Sequence, residues 1–116
     1  MTTPEQQRKL YEFMFPELEG RKWKFVEDGD GNLHGTWVTG RGRNAHRHYI
    51  DLPRLYNPDG TPCVDMFLKY GEPKLLEQGY EVNFYSNVGW GIGFDNRWYW
   101  DSADPWAATV EYLEAR

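Results

Sequence analysis

Cysteine is almost missing from this sequence: Cys63 stands alone among 116 residues. An internal disulfide framework and a cysteine-only metal site are thereby excluded. Long apolar runs are missing as well. None approaches the ~18 residues that a membrane-spanning helix requires, so no membrane association is expected. The opening Met-Thr-Thr-Pro-Glu lacks the basic-then-apolar pattern of a secretion signal, and a cytoplasmic location is the expectation. Positive charge is in deficit. Thirteen Lys and Arg face 18 Asp and Glu, a formal net charge of -5, which argues against general nucleic-acid binding but leaves room for a local basic patch. With no linker, internal repeat or low-complexity segment, residues 1–116 are expected to form one domain.

What the chain has in abundance is aromatic surface: 17% Phe, Trp and Tyr, with six Trp, enough to build a packed core rather than a disordered chain. The richest stretch runs from Gly79 to Asp101 and alternates as three short strands. Tyr80, Val82 and Phe84 share one face; Val88, Trp90, Ile92 and Phe94 follow, then Trp98 and Trp100, at the period of two of half-buried strands. On this reading Gly89, Gly91 and Gly93 face the other way, with Arg97 and Tyr99. Helices on both sides of the sheet would then account for Tyr85 and Tyr99.

Earlier in the chain, Thr3, Pro4 and Gln6 read as an N-cap, a first-turn proline and a capping-box partner. The helix they start carries Leu10, Phe13 and Met14 on one face and must stop near Phe15, before Pro16. Lys22 to Glu27 and Leu33 to Thr39 read as two strands joined through Asp28 to Asn32, whose Gly, Asp and Asn residues suit a hairpin turn. His46 to Leu52 reads as a third strand, with His48, Ile50 and Leu52 opposite Arg47, Tyr49 and Asp51. Thr61-Pro62 repeats the cap-plus-proline signal for a second helix with Val64, Phe67 and Leu68 inward. Gly71 and Pro73 should kink or divide it before Leu75 and Leu76. A last helix enters through Ser102 to Pro105, with Trp106, Val110 and Leu113 inward.

Five features carry chemistry. Asp28, Asp30 and Asn32 have the spacing that opens a calcium loop, but Leu33 and Thr39 occupy the positions that need glycine and glutamate, so a plain turn is expected. His46 and His48 project to one side of a strand and could share a metal with His34 or Cys63, yet the spacing does not require it, and no metal or other cofactor is assigned. Cys63, in the first turn of an expected helix, is the single nucleophile candidate, against the plainer reading of a small buried side chain. Arg41, Arg43 and Arg47, with His48 and Tyr49, concentrate cations and an aromatic ring in an acidic chain. They suit phosphate or carboxylate groups, or else pair with the chain's own acids. Gly91 centres the bare glycine strip, which calls for close approach by an aromatic ring, a helix or a ligand.

The half from Pro62 to Arg116, with Leu75-Leu76-Glu-Gln-Gly-Tyr80, a Trp- and Gly-rich meander and an Ala-rich closing helix, resembles the phage ABA-sandwich domain family. The resemblance implies a phage or prophage origin, hence the host cytoplasm, and an α/β layered fold; it brings no catalytic residues. Together these readings give an α+β layered sandwich: a mainly antiparallel sheet of five to six strands with three helices. The expected function is non-enzymatic, binding a protein partner through Arg41, Arg43, Arg47, His48, Tyr49 and Gly91. Nucleic-acid binding through the Arg41 to Arg47 loop, or a small enzyme using Cys63, are the alternatives.

Overall fold

The computed structural model describes residues 2–101 and 103–115. Helix α1 (Pro4–Met14) begins as its sequence dictates: Thr3 is extended, Gln6 N–H donates to Thr3 Oγ1 at 3.2 Å, and Thr3 N–H donates to Gln6 Oε1 at 2.9 Å. Two of the orphan donors of the first turn are satisfied reciprocally. Leu10, Tyr11, Phe13 and Met14 form the buried face, and Phe15 leaves the helical region ahead of Pro16.

Strands β1 (Lys24–Glu27), β2 (Leu33–Thr39) and β3 (His46–Asp51) form one antiparallel sheet in the order β1-β2-β3. Its inner face carries Phe25, Leu33, Gly35, Trp37, His48 and Ile50, and Trp23 sits just before β1. Tyr11 of α1 meets the Trp23 and Phe25 rings edge-on at 6.4 and 5.6 Å. Gly35 is required by closeness rather than conformation. A Cβ there would stand 3.3 Å from Ile50, Leu18 and Trp23 alike.

The middle helix α2 covers residues 64–77 as Val64–Met66, a π segment at Phe67–Gly71 and Glu72–Glu77. The expected break at Gly71 and Pro73 is thus absorbed by a widened turn. Pro73 falls at the start of the last segment, where a missing N–H costs least. Thr61 and Pro62 do not open this helix. Thr61 N–H and hydroxyl both bond Asp59 Oδ1 in a turn, Pro62 bridges Tyr56, and Cys63 occupies the N-cap position. Phe67 and Leu75 are fully buried, whereas Leu68 and Leu76, expected inward, are exposed.

Strands β4 (Glu81–Tyr85), β5 (Gly89–Phe94) and β6 (Arg97–Asp101) make a second antiparallel sheet in the order β4-β5-β6. The six strands therefore form two three-stranded sheets, not one sheet of five or six. Helix α3 (Pro105–Ala115) is capped by Asp104, whose Oδ1 accepts from Trp106 N at 2.9 Å and Ala107 N at 3.2 Å. Ser102, which the sequence also suggested at this entry, lies outside the described residues. Along α3, Trp106 and Val110 are buried and Glu111 and Glu114 exposed. Helix α3 contacts α1 and both β5 and β6, so helices lie between the two sheets in a body 56 Å long.

One face assignment is reversed. Asp95 and Asn96, both at positive φ, make a two-residue turn that pairs Phe94 with Arg97, so Ile92 faces Tyr99 across the strands. Tyr99 then points to the core, meeting Tyr112 at 5.5 Å, while Trp98 and Trp100 fall on the opposite face. There they lie on the glycines. A Cβ on Gly91 would be 2.6 Å from the Trp100 ring, and one on Gly93 2.6 Å from Trp98. Trp98 and Trp100 stack at 5.5 Å with Tyr85 beside them at 5.8 Å from Trp100. The packing of the helices, through Tyr112 on Tyr80 and Phe67 on Trp90, is on the other face.

Replacing Gly91 by alanine should destabilise the protein by about 1–3 kcal/mol, because the indole must leave its seat. Urea unfolding with tryptophan emission checks this; an unchanged midpoint would mean that Trp100 does not lie on the glycine strip in solution.

Candidate functional site

The outer face of the first sheet is built by alternation. Cross-strand rows place Lys24, Thr36 and Tyr49 together, then Val38 with Arg47, and Val26 with His34 and Asp51. Val26 and Val38 remain exposed, and Tyr49 is 61% exposed. A cavity of about 380 Å³ opens here, lined by Lys22, Lys24, Val26, Thr36, Val38 and Arg47 among others. At the same end of the sheet the β2–β3 connection carries Gly40, at φ +82°, and a short 3-10 turn at Gly42–Asn44. Gly40 cannot be replaced cheaply, since a Cβ would sit 2.2 Å from the Asn44 carbonyl oxygen. This tight connection holds Arg41 and Arg43 out in solvent.

Among the described residues, ion pairing is absent at this face and its loop, as it is at Arg21, Lys69 and Arg97 elsewhere. Arg8, Lys9, Arg54 and Lys74 each pair with a glutamate. Among the described residues, Lys22, Lys24, Arg41, Arg43 and Arg47 have no acidic partner. The pairing of the loop arginines with the chain's own acids is therefore not seen. These five cations and one exposed tyrosine give this face a local positive potential, the kind that attracts anions.

The residues singled out in the sequence do not all converge. Arg47 and Tyr49 share this face, with Arg41 and Arg43 at its end. His48 lies on the inner face, stacked on Trp37 at 5.3 Å and 14° with its Nε2 2.8 Å from Thr39 Oγ1. Gly91 belongs to the other sheet, buried beneath Trp100. Lys22 and Lys24 were missed because some twenty residues separate them from the arginine loop. The available signal was strand alternation, which already set both lysines opposite Trp23 and Phe25.

At the far end of the same face, His34 is held between two carboxylates. Its Nε2 donates to Asp28 Oδ2 at 2.9 Å, and its Nδ1 lies 2.8 Å from Asp51 Oδ1, close enough for ion pairing but outside hydrogen-bond alignment. The hydrogen bond to Asp28 raises the imidazole's pKa, partial desolvation opposes it, and the charges of Asp28 and Asp51 add to the rise. Asp28 is pulled well below the usual carboxylate range, first by His34 and then by the Asn32 backbone N–H. Its oxygens also accept from Asp30 N–H and the Asn32 side chain, so the Asp28 to Asn32 segment is a self-satisfied turn. Asp51, His34, Arg54 and Cys63 border a cavity of about 520 Å³. Both imidazole nitrogens face carboxylates, which leaves neither placed to take a proton from Cys63. Among the described residues, no three His, Cys, Asp or Glu side chains are grouped to hold a metal ion.

Comparison with protein-family models, curated proteins and solved structures finds no match to this chain.

Protonated His34 adds stability that is complete below its unfolded value, ~6.5, and is lost as pH rises through its higher folded value. Asp28 adds stability above ~3.9, lost as pH falls through its lower folded value. The melting-temperature gap between the parent and His34→Gln should therefore be widest between about pH 4 and 6.5 and shrink toward alkaline pH. A gap that stays constant from pH 6 to 9 would show that the imidazolium does not hold this end of the sheet.

Proposed function

We propose that this is a non-catalytic binding protein that captures an acidic protein surface with the outer face of its first sheet and the Arg41 to Arg47 loop. The observation that supports this reading is clustering: of the eight lysines and arginines without an acidic partner among the described residues, five gather on this face and its loop, in a chain whose net charge is -5. Long-range attraction would steer such a partner in, and the planar guanidinium forks suit carboxylates in pairs. A phage or prophage accessory role, acting in the host cytoplasm, is part of the proposal and is supported by the resemblance of residues 62–116. The enzyme reading on Cys63 is the weaker one, because the histidine bordering the same cavity is engaged.

Exposed Tyr49 favours a second reading. Its ring, set among cations, has the makings of a stacking platform for single-stranded nucleic acid. The acidic remainder of the chain opposes phosphate backbones outside this face.

Replacing Arg41, Arg43 and Arg47 together by alanine should leave stability within about 0.5 kcal/mol of the parent, since all three are exposed and none is ion-paired among the described residues. Capture of the protein partner from cell lysate, read by cross-linking and mass spectrometry, should fall and become insensitive to salt. Equal capture by parent and variant would overturn the assignment of this face. A salt-sensitive gel shift of single-stranded DNA, without protein capture, would establish the second reading instead.

A further inference from the structure

Strand β3 is an open edge. Leu52 N–H donates to the Leu33 carbonyl at 2.9 Å, and the antiparallel register repeats that bonding at Ile50, His48 and His46, opposite Gly35, Trp37 and Thr39. The backbone N–H and C=O groups of Arg47, Tyr49 and Asp51 therefore point away from β2. Among the described residues nothing bonds them. Edge strands are commonly blunted by proline, a bulge or brevity. None of these protects β3: its six residues pair with β2 without a break, and proline comes only after them, at Pro53. The opposite edge of the sheet offers less, since β1 has four residues and Arg54 holds the Glu27 side chain there.

The side chains along this edge complement themselves. Arg47, Tyr49 and Asp51 alternate onto the outer face as cation, ring and anion. A second β3 laid antiparallel about Tyr49 sets each Arg47 against the second copy's Asp51, and tyrosine against tyrosine. These same positions carry the free backbone groups, so each becomes a hydrogen-bonded pair that exchanges both N–H···O bonds. Backbone and side chains ask for one register. A shift of two residues either way removes both ion pairs, and a shift of four sets arginine against arginine or aspartate against aspartate, which is destabilising. The charged groups are free to meet. The Asp51 side chain is 93% exposed and touches His34 through Oδ1 alone, and Arg47 has no acidic partner among the described residues. An acidic strand from another protein would answer Arg47 but repel Asp51; a second β3 answers both. On the inner face, half-buried Ile50 gains the second copy's His48 as cover.

We propose that the protein forms a two-fold dimer by antiparallel pairing of β3 with β3 of a second copy, joining their first sheets into one continuous sheet with both outer faces on the same side. Such an interface is isologous, as pairing centred on one residue requires. Pairing takes up Arg47, while Lys22, Lys24, Arg41 and Arg43 of both copies come to share one surface. The inference goes beyond the binding role and does not depend on what this face captures. A single strand pair buries little area, so the association is of the weak, concentration-dependent class.

Sedimentation velocity from micromolar to millimolar protein tests this. The parent should pass from monomer to dimer across the range, whereas Arg47→Asp and Asp51→Arg, each setting like charges opposite one another, should self-associate about tenfold more weakly. An equimolar mixture of those two variants restores opposite charges at both pairs and should dimerise like the parent, which unfolded chains could not do. Tyr49→Pro removes an N–H that faces away from β2, a place where an edge strand tolerates proline, and should stay monomeric with the parent's circular dichroism. A parent that remains monomeric at millimolar concentration would overturn the proposal. So would a dimer that survives both Arg47→Asp and Tyr49→Pro, which places the contact elsewhere, or a mixture that stays monomeric where the parent dimerises.

Discussion

Neither three-stranded sheet can bury an apolar face by itself, and the helices between them supply both covers. Tyr11 stands at the centre of the first contact. It is 1% exposed, it meets Trp23 and Phe25 edge-on, and its hydroxyl donates to the Pro53 carbonyl at 2.6 Å. That donor is needed, since burial pushes the phenol pKa well above its ordinary value and keeps it protonated. On the other side Trp106, fully buried, packs against Phe67, and Tyr112 packs against Tyr80 and Tyr99. Contact between α1 and α3 then joins the two halves.

A polar clasp reinforces the same junction. Thr2 N–H and hydroxyl both donate to Tyr56 Oη, and Tyr56 donates onward to Asp104 Oδ2 at 2.6 Å. Desolvation, and then the bond to Asp104, raise the Tyr56 pKa, so the phenol stays a donor. Asp104 also caps α3 with its other oxygen. One carboxylate thus ties the start of the chain, the segment after β3 and the last helix into a single hydrogen-bonded unit.

Because the helices occupy the space between the sheets, each sheet keeps an outer face, and the two outer faces solve exposure differently. The second sheet covers its own glycines with Trp98 and Trp100, so its bare strip is filled from within. The first sheet has no such cover. Its Lys24, Val26, Val38, Arg47 and Tyr49 stay outward, and the tight turn at Gly40 projects two more arginines beyond its end. Cations, apolar side chains and an exposed tyrosine gather on this face because the fold leaves it open, and among the described residues no acid pairs with those cations.

Local chemistry was sufficient for most elements. The Thr3 capping box, the Asp28 to Asn32 turn, the bounds of β2 and the faces of β3 follow from side-chain bonding and alternation acting within a few residues, so they are legible in the sequence. The loop arginines and Tyr49 were legible as charge and aromatic content, and the structure adds that no acid among the described residues pairs with the arginines. What tertiary structure alone decided depends on which strands meet. The six strands part into two sheets because helices occupy the space between them, which no local pattern records. Tyr99 turns inward and the two tryptophans outward because a two-residue turn pairs Phe94 with Arg97, and hydrophobicity alone cannot reveal that register. Lys22, Lys24 and Thr36 become one cleft with Arg47 for the same physical reason: antiparallel pairing makes neighbours of residues that are distant along the chain.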